Sequence, residues 1–209
     1  SFRAAQLCDF VAALLAGNAI LACKRRPDPA SFPILRTRSL TAARRWLWQQ
    51  RRGAERAGIV ASANALRLKP EGLFVKAKVD PPNWFLNPAD DIRSSDMLED
   101  AATEYNVQGL ELDWACVAWD LDLARGKDRW IARGFSGTRW VPNDPAGFHD
   151  QRRGYTINSY RVLLTRARQG MVIFVPPGSA EDATRPPAAY DAVDAFLAAS
   201  GIPLLGDEG

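Results

Sequence analysis

The arginines of residues 158–177 are the clearest candidates for chemistry, because a guanidinium offers a planar fork of donors to a phosphate or a carboxylate. Arg161 and Arg168 fall on the polar side of a predicted helix, together with Thr165. Arg166 lies apart, near the edge of the apolar stripe of the same helix. A half-buried guanidinium without a partner is costly, so we expect Arg166 to meet an anion or a carboxylate.

A pair of carboxylates is the second candidate. Asp120 and Asp122 follow the apolar run 114–119, and open α/β sheets place ligands at that end of a strand. The two side chains could hold a metal ion, although alternating acidic residues after a strand are more often solvated turn residues. The one histidine, His149, falls in a predicted polar loop, and the three cysteines lack the spacing of metal ligands. Histidine-centred catalysis and a cysteine metal site are therefore not predicted.

The segments around these candidates alternate between helical and strand patterns. Apolar residues recur at helical spacing in some segments and form continuous runs in others. The helical segments include 3–16 and 40–52, and the apolar runs are 59–61, 114–119 and 171–175. We expect Gly170 to end the helix that carries the arginines, because a residue without Cβ takes the left-handed cap conformation freely. The alternation predicts an α/β fold with a mainly parallel central sheet.

Three segments depart from this alternation. Residues 70–99 and 120–156 are predicted insertions, and residues 179–209 are predicted to be a polar linker followed by a last helix. The second insertion interleaves arginines with aromatic residues. That pattern suits a single strand of nucleic acid, with charge on the phosphates and rings on the bases. It also suits a small ribbon whose aromatic side chains simply pack, which is the interpretation we favour.

Composition limits the classes of protein without choosing among them. The 209 residues are 47% apolar and 24% charged, which suits one large globular domain or two small ones. The net charge of +3 only weakly favours an anionic partner. Neither a signal peptide nor an apolar run of membrane-spanning length is present in the sequence, so we expect a cytoplasmic protein with no membrane contact. The chain starts at Ser1 directly in a helical pattern, and we expect it to be part of a longer protein.

Three separated blocks resemble motifs of superfamily-one helicases. Residues 103–111, TEYNVQGLE, precede an apolar strand and resemble the motif that places a glycine and a glutamate at the nucleotide. Residues 160–170, YRVLLTRARQG, resemble the last motif, in which an arginine reaches the γ-phosphate. Residues 1–3, SFR, resemble the block that opens the second motor domain. The sequences of the blocks around residues 103–111 and 160–170 most resemble the Schlafen-group-three-like DNA/RNA helicase domain family. The resemblance extends over nearly the whole chain.

The resemblance implies a RecA-like three-layer sandwich that serves as the second, C-terminal motor domain. By carry-over, Arg166 and Arg3 would be the two arginine fingers on the γ-phosphate. Glu111 would contact the nucleotide sugar, and Gly109 would allow close approach of the backbone. Gln108 stands in the same nucleotide-binding block, where many of these helicases have lysine.

The resemblance also implies partners. Thr103 would face the backbone of DNA or RNA, although an ordinary strand residue is the interpretation we favour for it. Tyr105 stands where many of these helicases have a histidine that contacts the strand. The phosphate loop, G-x-x-x-x-G-K-[ST], does not occur in the chain, so ATP and Mg²⁺ would be bound mainly by an N-terminal RecA-like domain.

Two other functions stay open. The domain could be a catalytically inactive module that keeps the motor fold and binds nucleic acid or another protein. A free-standing hydrolase built on Asp120 and Asp122 ranks last, because the sequence offers no nucleophile or base beside them.

Overall fold

The computed structural model describes residues 2–75, 98–107, 109–142 and 149–206. Its helices are α1 (Phe2–Leu15), α2 (Ala19–Arg25), α3 (Leu40–Gln50), α4 (His149–Leu164) and α5 (Pro187–Ala199), with a 3-10 helix at Leu66–Glu71. Its strands are β1 (Ile34–Thr37), β2 (Ala57–Ala61), β3 (Ala101–Thr103), β4 (Leu112–Ala118), β5 (Leu123–Arg125), β6 (Trp130–Ser136), β7 (Arg139–Pro142) and β8 (Ala167–Phe174).

A parallel sheet forms the centre of the domain. Its strand order is β1-β8-β4-β2-β3, and each neighbouring pair in it is parallel. The three apolar runs of the sequence became β2, β4 and β8, which lie side by side in the middle. A strand that is buried on both faces has a continuous run of apolar residues, whereas a half-buried strand alternates apolar and polar residues. This difference made the three central strands predictable from the sequence.

Helices cover both faces of this sheet. On one face, α1, α4 and α5 bury side chains such as Phe10, Tyr160 and Leu197 against β4 and β8. On the other face, α3 buries Leu47 and Trp46 with alternate residues of the same strands. The predicted α/β three-layer sandwich is therefore confirmed. In the part of the chain that the structure describes, no helix is both long and apolar enough to cross a membrane.

The second predicted insertion contains a small antiparallel sheet of order β5-β6-β7. The two tryptophans of this small sheet pack against the rest of the fold. Trp130 is buried, stacks on Trp119 with ring centroids 5.2 Å apart, and donates from Nε1 to the carbonyl of Leu14. Trp140 donates from Nε1 to the carbonyl of Thr184. For these two rings, the packing interpretation is correct. Helix α4 already begins at His149, inside the segment predicted to be the second insertion and where we expected a polar loop.

The polar segment before α5 makes several contacts within the fold. Arg185 is buried, and its guanidinium pairs with the carboxylate of Glu71. Arg67 pairs with Asp182 at 2.8 Å, and the amide of Ser179 donates to the carbonyl of Arg185. These ion pairs and this hydrogen bond tie the segment to the rest of the fold.

Gly170 does not end a helix, and this prediction was wrong. Helix α4 ends at Leu164, and β8 has already begun at Ala167, so Gly170 lies inside the strand. A Cβ at this position would lie 2.7 Å from Trp114 Cζ3 and 2.9 Å from the carbonyl oxygen of Pro33. The glycine is needed for close packing of β8 against its neighbours, not for a left-handed cap.

We predict that Gly170→Ala destabilises the fold by about 1–3 kcal/mol, because the added methyl group overlaps a ring and a backbone oxygen. The matched control is Gly154→Ala in α4, where a Cβ would meet nothing within 4 Å. Alanine there should stabilise by about 0.5–1 kcal/mol, since it is the better helix former. Thermal or urea unfolding of both variants measures the difference. Equal stabilities would contradict the packing role of Gly170.

Candidate functional site

A cleft of about 920 Å³ opens at the amino edge of the central sheet. Its walls come from the start of α1, the turn before β1 and the residues that lead into β4 and β8. The charged side chains among its lining are Arg3, Asp28, Glu111 and Arg168. The volume lies within the range of roughly 300–1,000 Å³ that is typical of small-molecule sites. This cleft is the candidate functional site.

Helix α1 brings Arg3 to the cleft. The helix packs on the sheet through residues such as Leu7 and Phe10, so its amphipathic pattern leaves the first turn at the rim. Phe2, with 80% of its surface exposed, lines the same rim. Phe2 and Arg3 therefore both reach the cleft from the first turn of one helix.

Glu111 and Arg168 meet across the neighbouring strands. The Nε atom of Arg168 lies 3.5 Å from Oε2 of Glu111, and each side chain is 63% exposed. An exposed ion pair of this length contributes little to stability, so both groups are available to a ligand. The sequence pattern predicts Arg168 on the polar side of a helix, but the residue lies in β8. The error came from the helix boundary, because the strand begins one residue before Arg168.

An irregularity in the sheet lies beside Arg168. Leu112 pairs with Ala167 and Trp114 with Gly170, so two steps along β4 correspond to three along β8. The extra residue of β8 falls between Ala167 and Gly170. Bulges of this kind redirect a side chain and are common next to functional sites.

Arg166 does not line the cleft in the described structure. Its Nε donates to the carbonyl of Val162 at 2.9 Å, and its Nη1 donates to the carbonyls of Val107 and Leu110 at 3.2 and 2.9 Å. We expected an anion or a carboxylate as its partner, and the observed partners are backbone carbonyls. The expectation overlooked carbonyls because composition and spacing do not reveal where the chain will turn. The role of Arg166 as a finger on the γ-phosphate stays a prediction.

The other nucleotide-binding predictions fall on the loop before β4. Gly109 has φ of +80°, a conformation that favours glycine, and a Cβ there would meet nothing within 4 Å. Glycine is therefore favoured at position 109 by the backbone conformation. Close approach of a ligand to this backbone stays a prediction. Gln108 lies outside the described residues.

Thr103 and Tyr105 lie at the opposite, carboxyl edge of the sheet. Thr103 is buried in β3, and its hydroxyl donates to Oδ1 of Asn106 at 2.9 Å. This burial and this hydrogen bond suit the interpretation of Thr103 as an ordinary strand residue. Tyr105 is 74% exposed just beyond the strand, where its ring can contact a partner. Contact of either residue with nucleic acid stays a prediction.

Asp120 and Asp122 are buried at the carboxyl edge rather than solvated. Asp120 accepts hydrogen bonds from the hydroxyl of Tyr190 at 2.7 Å and from the amide of Arg67 at 2.9 Å. Asp122 accepts one from the hydroxyl of Tyr160 at 2.6 Å. Among the described residues, no group of three or more histidine, cysteine or acidic side chains could hold a metal ion. The observed contacts give this pair a structural role.

Burial changes the protonation of this pair. Burial, followed by the neighbouring charge of Asp120, raises the pKa of Asp122 to about 7. Burial also raises the pKa of Asp120, to about 6, against the lowering effect of the Tyr190 hydrogen bond. The charge of Glu104 acts on Asp122 in the same direction as that of Asp120. Folding therefore shifts both carboxyl groups towards their protonated forms, compared with the unfolded chain.

We predict that the unfolding free energy of Asp122→Asn rises relative to that of the wild type as the pH rises from 5 to 8. The folded pKa lies above the unfolded value of about 3.9, so the folded state binds more protons in this window and wild-type stability falls as Asp122 ionises. Asparagine cannot ionise. Between pH 5 and 8, the difference in unfolding free energy between the variant and the wild type should therefore change by about 2 kcal/mol in favour of the variant. Urea unfolding at both pH values measures it, with the exposed Asp191→Asn as control. A difference that does not change with pH would contradict the burial effect.

Comparison with known proteins agrees with the fold and with the motifs. The family model described as "Schlafen group 3, DNA/RNA helicase domain" matches residues 1–177. A comparison with curated proteins finds no match. Because the matched residues cover most of the chain, the protein belongs to the Schlafen group 3 DNA/RNA helicase domain family.

Proposed function

We propose that this domain forms the second wall of an ATP site in a nucleic-acid-acting motor, closing on a nucleotide held by a phosphate-loop domain. The observation that carries the proposal is the cleft that brings Arg3 together with Glu111, residues far apart in the chain. The chain has no phosphate loop of its own, so it would supply one side of the site. ATP hydrolysis would need both domains.

The charged side chains of the cleft suit a nucleotide site that is shared between two domains. A guanidinium delivered by a second domain stabilises the charge on the transferring phosphoryl group, an effect worth roughly 10³–10⁵ in rate. Arg3 stands at the rim, on a helix fixed by its buried face, and can approach a phosphate without reorganising the core. Glu111, 63% exposed, can accept hydrogen bonds from the hydroxyls of a ribose.

Phe2 adds a surface for the base. Phe2 is 80% exposed and lines the same cleft as Arg3. An exposed apolar ring is costly to leave in water and gains from stacking on a nucleobase. A ring for the base, a carboxylate for the sugar and a guanidinium for the phosphates together match the parts of a nucleoside triphosphate.

Nucleic acid would bind at the other edge of the sheet. Tyr105 is exposed just beyond β3, and residues 104–111 lead from there to Glu111 at the cleft. One short segment therefore spans the distance between the proposed strand contact and the proposed nucleotide contact. This supports a role in coupling the two sites.

We predict that Arg3→Ala lowers ATP turnover by about 10²–10³-fold in the protein that joins this domain to its phosphate-loop domain, because one charge on the transition state is lost. The chain of 209 residues alone should not hydrolyse ATP. The control is Arg161→Ala, which removes an exposed arginine of α4 that does not line the cleft. Steady-state kcat and KM measure the effect. Unchanged turnover in Arg3→Ala would exclude this arginine from the site.

We also predict that Tyr105→Ala weakens binding of single-stranded nucleic acid roughly 10-fold, because a stacked ring contributes about 1–3 kcal/mol per base. The matched control is Tyr155→Ala, at a tyrosine of α4 that is 67% exposed. Labelled DNA and RNA strands are titrated at two salt concentrations, with and without ATP. Salt-sensitive binding together with a lack of ATP hydrolysis in the joined protein would favour a catalytically inactive binding module instead.

A further inference from the structure

We propose that Glu104 is a positioning residue for nucleic acid: it holds the turn after β3 so that Tyr105 faces a bound single strand, and a negative charge on the neighbouring Asp122 weakens that hold. The assignment rests on the proposed function, because it concerns the strand contact given there to Tyr105. Glu104 itself is buried and would not touch the strand.

The residues on either side of Tyr105 are held by hydrogen bonds, while Tyr105 itself is 74% exposed. Before it, Oε2 of Glu104 accepts from the amide of Ala63 at 2.8 Å, which joins the end of β3 to the turn after β2. After it, Oδ1 of Asn106 accepts from the amide and from the hydroxyl of Thr103, each at 2.9 Å. A ring on a backbone that is fixed at both sides can stack on a base with little loss of conformational freedom.

The turn after β2 connects Glu104 to Asp122. Within this turn, the amide of Ala65 donates to the carbonyl of Ser62 at 3.0 Å. The side chain of Ser62 also forms a hydrogen bond with the carboxyl group of Asp122. Glu104 and Asp122 are therefore bound to the same turn, one through the amide of Ala63 and the other through Ser62.

Each of these two carboxyl groups has one unpaired oxygen inside the protein. In the described part of the chain, Oε1 of Glu104 and Oδ2 of Asp122 are buried without a hydrogen-bond partner. Burial, the charge of Asp120 and the charge of Glu104 raise the pKa of Asp122 to about 7. Asp122 therefore gains its charge near neutral pH. Two like charges away from water repel each other more strongly than exposed ones.

The other groups around the aspartates do not cancel this effect. The titratable or charged side chains that face Asp122 or Asp120 from other elements are Tyr160 of α4, Arg133 of β6, Tyr190 of α5 and Arg185 just before α5. The tyrosines donate hydrogen bonds and the arginines bring positive charge, yet the pKa of Asp122 stays raised. Ionised Asp122 therefore repels Glu104, strains its hydrogen bond to Ala63 and loosens the turn that presents Tyr105.

The first test is a double-mutant cycle in the joined protein, with a labelled single strand as the probe. Glu104→Ala should weaken binding roughly 5-fold, within the effect of Tyr105→Ala. This direction is informative, because removal of a negative charge should by itself tighten binding to a polyanion. The double variant should bind no more weakly than Tyr105→Ala, since both changes remove one contact. The charge-matched control is Glu99→Ala, at an exposed glutamate.

The second test is the pH profile of binding, which a purely structural role of Glu104 would not change. Wild-type affinity should fall about 2–5-fold between pH 6 and 8, as Asp122 ionises. Glu104→Gln keeps an acceptor for the amide of Ala63 but carries no charge. This variant should bind as the wild type does at pH 6, and its affinity should not change with pH. Asp122→Asn should also remove the pH dependence, whereas a contribution from His149 would persist in both variants.

Two results would overturn the inference. One is additive losses from Glu104→Ala and Tyr105→Ala, and the other is a pH profile that Glu104→Gln and Asp122→Asn leave unchanged. In both cases Tyr105 can still contact the strand, and the proposed function stands. Melting temperatures are measured for every variant, and if Glu104→Ala does not fold, the profile of Glu104→Gln decides. If the joined wild-type protein does not bind nucleic acid, the proposed strand contact fails and this assignment fails with it.

Discussion

The parallel pairing of β4 with β8 determines where the cleft can form. The two strands are buried on both faces and are joined from Leu112 opposite Ala167 to Ala118 opposite Phe174. Because the strands run in the same direction, the residues that enter them must meet at one edge of the sheet. Glu111 and Arg168 are therefore neighbours although they are far apart in the chain. The cleft exists because the turn before β1 and the start of α1 close around that meeting point.

The core of the domain continues past the end of the family match at residue 177. Helix α5 lies beyond it, and its Tyr190, Val193 and Leu197 are fully buried. The hydroxyl of Tyr190 supplies one of the hydrogen bonds to Asp120 beyond the end of β4. Removing α5 would expose a large apolar area and leave a buried carboxyl group short of a donor, both of which are costly. Residues after the match are thus part of the same folding unit.

The sequence predicted what depends on local pattern and missed what depends on contacts between distant segments. Apolar runs are visible in a sequence, so β2, β4 and β8 could be found, and the helical spacing of residues 3–16 located α1. Gly170 follows a helical pattern and could have been a cap, but the ring of Trp114 and the carbonyl of Pro33 explain it instead. The same boundary error placed Arg168 on a helix, although it lies in β8, and a strand and a helix present the same residue on different faces.

Hydrogen bonds order the described residues on both sides of position 108, in the segment that joins β3 to β4. The amides of Asn106 and Val107 both donate to the carbonyl of Thr103, and the amide of Leu110 donates to that of Val107. These hydrogen bonds form tight turns after Thr103 and after Val107. Arg166 holds the last of these turns through its carbonyls. The backbone next to Tyr105 and the backbone next to Glu111 are therefore each held by hydrogen bonds, which is what the proposed coupling of the two sites would need.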